Sequence, residues 1–357
     1  MFSNPFLKSF RILLLPFSIL FWMIIGLRNW LYNKNIFKSS TFGLPLICVG
    51  NLSVGGTGKS PMVEYLVMHL KSSFKVATLS RGYKRKTKGY ALANSQSTAL
   101  EIGDEPMLFH RKFPQVPVAV GEERIVAIPQ ILHDRPDTEV IILDDAFQHR
   151  AIAAGFNILL TDYGNLFTRD FYLPTGDLRD LKSSSKRADV IIVTKCPAQI
   201  DATEATAIKN EIRPAGHQKI FFTTIVYGTP YHITQHHFSP LHEETEVLLI
   251  TGIANPKPLK AYLEDRMHTY HMLHYSDHHI FTIDDWRDIT KRFKRIESEN
   301  KMIITTEKDA VRLQKFAHEI NGMPFFVLPI EHKFLFSEGT AFTETVVSFI
   351  QQFKKPK

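Results

Sequence analysis

Residues 50–60 read Gly50-Asn51-Leu52-Ser53-Val54-Gly55-Gly56-Thr57-Gly58-Lys59-Ser60, and this stretch decides the fold. The apolar run at residues 45–49 before it predicts a strand, and the run at 61–70 after it predicts a helix. A glycine-rich turn between a strand and a helix, ending in Gly-Lys-Ser, is typical of a phosphate-binding loop. The Lys59 ammonium would reach the phosphates of a nucleoside triphosphate, and the Ser60 hydroxyl would hold the Mg²⁺ that neutralises their charge.

The loop departs from the common pattern at one position, because Ser53 stands where glycine is usual. It is therefore of a variant type, and the alternative is a glycine turn that merely ends in Lys-Ser. The residues that we expect to bind the nucleotide are Gly55, Gly56, Thr57, Gly58, Lys59 and Ser60.

Length and composition bound the kind of protein. A chain of 357 residues that is 44% hydrophobic can bury two ordinary cores. Its two cysteines, Cys48 and Cys196, have no neighbour at redox or metal-ligand spacing, which argues against a disulfide framework. The net charge of +7 favours a polyanionic partner, but nucleic acid, anionic lipid and a phosphorylated substrate all meet that condition.

The amino-terminal segment favours the lipid. Residues 12–27 carry no charge, and Lys8 and Arg11 precede them. A helix over this run would be about 24 Å long, so it could only just span a bilayer. A cleaved signal peptide is disfavoured because no small-residue cleavage site follows, and a buried core helix is the remaining alternative. Aromatic residues beside basic flanks, Trp22, Trp30 and Tyr32, favour a membrane-associated helix, and nucleic acid is not expected as a partner.

Beyond the loop, strand-like and helix-like runs alternate, which is typical of a doubly wound parallel sheet. We predict the fold class as α/β: a P-loop NTPase-like doubly wound parallel sheet with a second, smaller α/β domain and an N-terminal membrane-associated helix. The predicted domains are the membrane-associated helix at 1–30, a P-loop kinase domain at 31–227, a linker at 228–245 and a smaller α/β domain at 246–357. The candidate strands are residues 75–80, 116–120, 139–144, 157–161, 188–194, 219–227, 246–252, 301–305 and 325–328.

Two adjacent carboxylates, Asp144 and Asp145, end the apolar run at 139–144. In a phosphate-loop protein, this is where the second magnesium-binding element lies. An aspartate after a strand often only caps the next turn, and that alternative stays open for the pair taken alone. With the loop, the pair predicts a metal site formed by Ser60, Asp144 and Asp145.

Four motifs, of which the loop is the first, occur in this order: residues 49–59, Leu79-Ser80-Arg81-Gly82-Tyr83-Lys84-Arg85, Gly103-Asp104-Glu105-Pro106 and Leu143-Asp144-Asp145-Ala146-Phe147-Gln148-His149-Arg150. With Thr305-Thr306-Glu307-Lys308-Asp309-Ala310, they resemble the tetraacyldisaccharide 4'-kinases of lipid A biosynthesis. The resemblance covers nearly the whole chain. It implies an enzyme that uses ATP and Mg²⁺ to phosphorylate the 4'-hydroxyl of an acylated glucosamine disaccharide 1-phosphate, giving lipid IVA. It also implies contact with membrane lipids, at the inner (cytoplasmic) membrane, with the body on the cytoplasmic face.

The resemblance assigns roles to individual residues. Asp104 would accept or position the sugar hydroxyl proton, His278 would be its partner, and Lys59 would act on the transferred phosphate. The smaller domain would then have to close over the active site. The substrate-binding residues implied are Arg81, Tyr83, Gln148, His149 and Arg179.

Two of these residues, Asp104 and His278, could instead have no catalytic role. Asp104 could simply cap a helix that starts at Gly103-Asp104-Glu105-Pro106, and His278 could be a surface loop residue. The chain also departs from the family pattern twice. Ala146 replaces a usual glycine, and Asp180 replaces a glutamate whose longer side chain would reach nucleotide or metal.

Two other functional classes would use the same loop. A membrane-associated GTPase or partitioning ATPase is one, since Thr194-Lys195 is similar to a guanine-reading motif. That motif needs an acid where this chain has Pro197, so adenine is favoured. A non-enzymatic nucleotide switch that signals to a protein partner is the other.

Overall fold

A computed structural model describes residues 11–354, so Lys8, named above as a flanking cation, lies outside the described residues. The chain divides into two compact units. The larger contains the chain up to Ile102, Phe109–Val226 and the chain from Glu331 onward, and the smaller contains Gly103–Leu108 and Tyr227–Ile330.

Strands make up two sheets in the described part of the chain. In chain order they are β1 (Leu46–Asn51), β2 (Val76–Ser80), β3 (Ala91–Leu92), β4 (Val118–Val120), β5 (Val140–Asp144), β6 (Phe156–Asp162), β7 (Val190–Thr194), β8 (Lys219–Tyr227), β9 (Tyr231–His232), β10 (Glu246–Thr251), β11 (Tyr270–His274), β12 (Lys301–Thr306), β13 (Phe325–Leu328) and β14 (Ile330–Phe334).

The helices lie between the strands and at both ends. In chain order they are α1 (Leu15–Asn33), α2 (Lys59–Leu70), α3 (Ala99–Ile102), α4 (Asp104–Lys112), α5 (Arg124–Asp134), α6 (Ala202–Ile212), α7 (Lys257–Glu264), α8 (Ile283–Lys294), α9 (Glu307–Leu313), α10 (Ala317–Ile320) and α11 (Gly339–Gln352). Short 3₁₀ turns occupy Ile12–Leu14, Lys182–Arg187 and Gln314–Phe316.

The larger unit is built on a nine-stranded sheet with the order β14-β8-β7-β6-β1-β5-β2-β4-β3. The strands from β8 to β4 pair in parallel, and the short β3 pairs antiparallel with β4. At the other edge β14 runs antiparallel to β8, because the Leu335 N–H donates to the Phe222 carbonyl and the Gly228 N–H to the Pro329 carbonyl. Successive residues of β1 are buried on opposite faces, Ile47 and Val49 in one apolar core and Leu46 and Cys48 in the other. Burial on both faces is the pattern of a doubly wound sheet, and the predicted fold class is confirmed.

This topology places the functional loops at one edge. Parallel strands all end at the same edge of the sheet, and ligands of open α/β sheets bind outside those carboxyl ends. β1 pairs with β5 in a register that sets Val49 beside Asp144, and β2 is the next neighbour of β5. The phosphate loop after β1, the carboxylates after β5 and Ser80 at the end of β2 are therefore neighbours.

The smaller unit has a five-stranded sheet with the order β11-β10-β12-β13-β9. β10, β11, β12 and β13 are parallel, and β9 pairs antiparallel with β13. β9 comes from the segment 228–245 that the sequence predicts as a linker, so part of that segment completes the sheet.

The end of the chain returns to the larger unit. β14 joins the nine-stranded sheet beside β8, and α11 buries Phe342 against Tyr65 of α2. The predicted range 246–357 for the smaller domain includes this returning segment, whereas the compact unit ends at Ile330. The difference has a simple cause: β14 follows β13 after Pro329 alone, so no linker-like composition marks the crossing.

The first helix has its polar residues turned inward. Ser18 and Asn29 are the buried side chains of α1, and they bind polar groups of the larger unit. The Ser18 hydroxyl donates to the Tyr172 carbonyl (3.0 Å), and the Asn29 amide donates to Asp180 (2.8 Å). The apolar side chains that face outward include Leu13, Phe17, Leu20, Trp22, Ile24, Leu27 and Trp30, each about half exposed or more.

By length and composition, the segment Ile12–Asn33 can cross a membrane. It has 22 residues, about 33 Å of helix, and is longer than the run of 12–27 predicted from the sequence. Water-soluble helices turn their apolar side inward, and α1 does the reverse. The alternative of a buried core helix is therefore wrong for this segment.

Candidate functional site

The phosphate loop connects β1 to α2 as predicted. Gly55 and Gly58 have φ angles of 107° and 85°, in the left-handed region that glycine enters without strain. The loop is held on one side by the segment 177–179, because the Val54 N–H donates to the Asp177 carbonyl (2.8 Å) and the Arg179 N–H donates to the Leu52 carbonyl (2.8 Å). Lys59 is the first residue of α2, so the amino terminus of that helix opens toward the loop.

Lys59, Asp145 and Arg179 form a cluster of charges beside the loop. The Lys59 ammonium lies 3.8 Å from an Asp145 carboxylate oxygen, and Arg179 grips both oxygens of that carboxylate, one of them at 3.2 Å. Burial acts to raise the pKa of Asp145, yet Lys59 and Arg179 hold it below its ordinary value. The negative charge of Asp145 is therefore neutralised by two adjacent cations, Lys59 and Arg179.

Asp144, one residue earlier, is buried at the end of β5. It accepts a hydrogen bond from the Ser80 hydroxyl (3.2 Å), and the Arg124 guanidinium donates to its backbone carbonyl (3.4 Å). Ser60 is also buried, at the start of α2. Carboxylate and hydroxyl oxygens are the donors that Mg²⁺ takes from proteins, so the chemistry of Ser60, Asp144 and Asp145 fits that ion.

The residues predicted to bind substrate fall into two groups. Gln148 and Arg179 contact the loop directly, since the Gln148 amide donates to the Asn51 carbonyl (2.7 Å) and Arg179 donates to the Asn51 side chain (2.7 Å). His149 lies half-buried next to Gln148, and burial with the positive charge of Arg124 lowers its pKa. Arg81 and Tyr83 are exposed in the loop after β2.

The pair Asp104 and His278 meets within the smaller unit, although 174 residues separate them in sequence. His278 Nδ1 lies 2.9 Å from Asp104 Oδ2. Asp104 does begin helix α4, but its carboxylate binds His278 and Arg312. His278 has a φ of 61°, a strained conformation for a residue with a side chain, as Asp145 has at 50°.

Arg312 is a third member of this group. Its guanidinium lies 2.8 Å from Asp104 Oδ2 and 3.2 Å from His278 Nδ1. Burial acts to raise the pKa of Asp104, and the hydrogen bonds from His278 and Arg312 hold it below its ordinary value. A histidine Nδ1–H and a guanidinium N–H both directed at one oxygen keep Asp104 ionised and fix its direction.

Asp309 anchors Arg312 from behind. Its fully buried carboxylate lies 3.0 Å from Arg312 Nη1 and accepts from the Gly252 N–H (3.0 Å) and the Thr306 hydroxyl. The side chains of Arg312 and Asp309 are 6% and 0% exposed, and this burial raises the pKa of Asp309. Thr306 caps α9, because its hydroxyl accepts from the Asp309 N–H. The motif at 305–310 therefore fixes the position of Asp309, which in turn binds Arg312.

Asp180 does not turn toward the nucleotide site. Its carboxylate accepts from Asn29 (2.8 Å), Ser184 (2.9 Å) and Arg187 (3.0 Å), and only 1% of the residue is exposed. The shorter side chain at this position therefore joins α1 to the body, while its neighbour Arg179 contacts the loop.

After β2 the chain carries a basic run, which comprises Arg81, Lys84, Arg85, Lys86 and Lys88. This run is not a uniform surface patch. Arg85 has a side chain only 1% exposed and binds Glu122 (2.8 Å) and the Gly89 carbonyl. The exposed cations of this run are Arg81, Lys84, Lys86 and Lys88.

Sequence reasoning missed Arg124 and Arg312. Arg124 follows Glu122-Glu123 and looks like a surface residue of α5, but it is 2% exposed because it reaches back to the end of β5. Arg312 lies two residues past the motif at 305–310. One turn of helix after a capped start would have placed it on the same side as Asp309, and that spacing is the signal that could have found it.

Comparisons with known proteins identify the family. The profile of the family described as tetraacyldisaccharide-1-P 4'-kinase matches residues 10–351. The tetraacyldisaccharide 4'-kinase of Flavobacterium johnsoniae is 41% identical over 97% of this chain and 99% of its own length. That of Flavobacterium psychrophilum is 43% identical over 95% of this chain and 96% of its own.

The fold matches as well. The solved structure of the "apo" form of LpxK from Aquifex aeolicus in complex with ATP superimposes with a TM-score of 0.75 and 28% identity, covering 96% of this chain and 99% of that one. The family resemblance predicted from the motifs is confirmed: this chain belongs to the tetraacyldisaccharide-1-P 4'-kinase family.

Proposed function

We propose that this protein transfers the γ-phosphate of ATP to the 4'-hydroxyl of a tetraacylated glucosamine disaccharide 1-phosphate, giving lipid IVA. The observation that carries the proposal is the Asp104–His278 pair, at 2.9 Å, in a chain that also holds a phosphate loop. A nucleotide switch needs the loop but has no use for an ionised carboxylate oriented by a histidine and an arginine. A kinase that activates a sugar hydroxyl needs both.

The donor side of the reaction belongs to the loop. Backbone N–H groups between Gly55 and Ser60 would surround the phosphates, and Lys59 would balance the charge on the group transferred. Ser60, Asp144 and Asp145 would hold Mg²⁺, which supplies further charge neutralisation when bound. Arg179 would keep Asp145 in place, since it binds both carboxylate oxygens and the Asn51 side chain.

The acceptor side belongs to Asp104. As the 4'-oxygen attacks the γ-phosphorus, the bond from that phosphorus to the bridging oxygen of ADP breaks, and the hydroxyl proton passes to Asp104. His278 and Arg312 orient the carboxylate, because both are directed at its Oδ2 atom. Such groups contribute chiefly by positioning. Both groups of residues must act in one event, which is the reason to expect the smaller domain to close during the cycle.

The acylated substrate accounts for the outward apolar face of α1. Each methylene drawn from a bilayer into water costs about 0.8 kcal/mol, so the enzyme must come to the lipid. We propose that α1 attaches the protein to the cytoplasmic face of the inner membrane, where ATP is available. Arg81, Tyr83, Gln148 and His149 are the side chains proposed to bind the sugar and its phosphate.

The test is transfer of label from γ-labelled ATP to purified tetraacyldisaccharide 1-phosphate in mixed micelles, followed by thin-layer chromatography. The matched control is a disaccharide whose 4'-hydroxyl is already phosphorylated, because it keeps the acyl chains and lacks the acceptor. We expect label in the first lipid alone. Release of labelled inorganic phosphate at the same rate with either lipid would instead show a hydrolase, and the proposed function would be lost.

A further inference from the structure

A buried histidine from the returning strand β14 supports the phosphate loop from behind. His332 is 5% exposed, and its Nε2–H donates to the carbonyl of Gly58 (2.8 Å). Its Nδ1 accepts from the Thr223 hydroxyl of β8 (3.0 Å). With one ring nitrogen facing a carbonyl and the other facing a hydroxyl, the ring has one satisfactory tautomer, protonated at Nε2.

The preceding carbonyl of the loop is held in the same manner. The Thr194 hydroxyl, at the end of β7, donates to the Thr57 carbonyl (2.9 Å). Two successive carbonyls, those of Thr57 and Gly58, thus bind side chains of β7 and β14, and the Gly58 carbonyl also accepts the Met62 N–H of α2 (3.1 Å). Both strands lie on the same half of the nine-stranded sheet.

The direction of a carbonyl determines the direction of the next N–H. Among the described residues, the one cis peptide bond is Leu173–Pro174, so the two peptide groups of the loop are trans. In a trans peptide, the C=O and the N–H point in opposite directions. Holding the carbonyls of Thr57 and Gly58 against the sheet therefore turns the N–H groups of Gly58 and Lys59 away from it, toward the side on which phosphates bind.

The approach is close enough to dictate the residue at position 58. A Cβ on Gly58 would lie 2.9 Å from both Cε1 and Nε2 of His332. Gly58 also has a φ of 85°, which a residue with a side chain rarely adopts. Position 58 therefore requires glycine for two independent reasons: the positive φ angle and the close approach of the His332 ring.

We propose that His332 is a positioning residue for ATP, which sets the direction of the phosphate-binding N–H groups of Gly58 and Lys59 through the Gly58 carbonyl. The inference rests on the proposed function insofar as ATP is the nucleotide bound. Burial lowers the pKa of His332 to about 4, so the ring is a neutral donor and brings no charge to the loop. A lysine or arginine would make the same contact only by burying a cation.

The experiment measures the dissociation constant of ATP directly, by calorimetry on the full chain without lipid. His332→Leu removes the donor, and His332→Gln keeps an N–H₂ group near the position of Nε2. Phe334→Leu is the matched control, because Phe334 is a buried residue of the same strand whose ring packs on Tyr65, Phe221 and Phe342. We expect about tenfold weaker ATP binding for His332→Leu, partial recovery for His332→Gln and no change for Phe334→Leu.

Thermal unfolding of all three variants separates positioning from stability. A His332→Leu protein that melts earlier but binds ATP as the parent does would overturn the inference, and so would equal weakening in Phe334→Leu. If His332→Leu does not fold, the comparison passes to His332→Gln against His332→Asn, whose shorter amide reaches only the Nδ1 position; equal affinities would overturn the inference. The lipid takes no part in these measurements, so a wrong assignment of the lipid substrate would appear in the transfer assay and not here.

Discussion

Replacing Arg312 by methionine is the most informative test of the Asp104 site. Methionine keeps most of the unbranched stem and removes the guanidinium, whose side chain is 6% exposed and lies between Asp104 at 2.8 Å and Asp309 at 3.0 Å. Breaking a buried ion pair by deleting one partner costs about 3–5 kcal/mol. We expect the lower end, about 3 kcal/mol of unfolding free energy, because Asp309 keeps its bonds from the Gly252 N–H and the Thr306 hydroxyl.

The catalytic effect is separate from the loss of stability. Asp104 loses one of two donors to Oδ2 and its fixed direction, so kcat should fall by about 10- to 100-fold with little change in ATP affinity. The pKa of Asp104 lies below its unfolded value because His278 and Arg312 outweigh burial. Its ionised form therefore stabilises the fold above the unfolded pKa, and that stability is lost as pH falls through the folded pKa. In the variant this pKa rises, and the acid limb of kcat/KM should move to higher pH.

The assay is lipid phosphorylation across a pH series, with urea unfolding of the same samples. Arg292→Met is the control, because Arg292 forms an exposed ion pair with Asp288 on α8 and should cost less than about 0.5 kcal/mol. If Arg312→Met lost stability but kept the parent kcat and acid limb, Arg312 would be structural only. A change in unfolding free energy no larger than that of Arg292→Met would refute the buried ion pair itself.

Further predictions concern the loop, the acid–base pair, the membrane helix and pH. Lys59→Ala should lower transfer by at least about 100-fold while circular dichroism stays unchanged, and a folded variant with parent turnover would remove the loop from the mechanism. Asp104→Asn should lower kcat by about 10²–10⁴ with the ATP dissociation constant retained, and combination with His278→Ala should be non-additive; strict additivity in kinetics would mean that the two act independently. Deleting residues 1–28 should release the protein from sedimented membranes and should lower kcat/KM for the natural lipid far more than for a short-chain soluble analogue. A ratio between the two substrates that deletion does not change would show that the helix only anchors. The pKa of His332 is lower in the fold than in the unfolded chain, so unfolding free energy measured in urea should fall by up to about 3 kcal/mol between pH 6.5 and pH 4, and His332→Gln should show less of that fall. An equal fall in both proteins would mean that other groups cause it.

The parts of the protein that local sequence determines are the strands, the loop and the chemistry at each strand end. A strand buried on both faces is a short apolar run, and a phosphate loop needs glycines, a lysine and a hydroxyl close together in sequence. The strand and the loop at residues 45–60 can therefore be predicted from the local sequence alone. Asp144 and Asp145 follow a recognisable strand for the same reason. Parallel strands share one edge, and that rule alone places the carboxylates near the loop.

Contacts between residues that lie far apart in sequence cannot be predicted from local patterns, and only the tertiary structure decided them. Arg312 reaches Asp104 across 208 residues and His332 reaches Gly58 across 274, and neither arginine nor histidine carries a local signal of its partner. Asp180 lies next to Arg179, yet it turns to Asn29 of the first helix, because a side chain one carbon shorter than glutamate finds its donors there. The sequence also does not predict that β14 joins the nine-stranded sheet, since a short edge strand has the same composition whichever sheet it joins. Hydrophobic and glycine patterns specify each element through its own neighbours, whereas the pairing of buried charges depends on which elements the folded chain brings together.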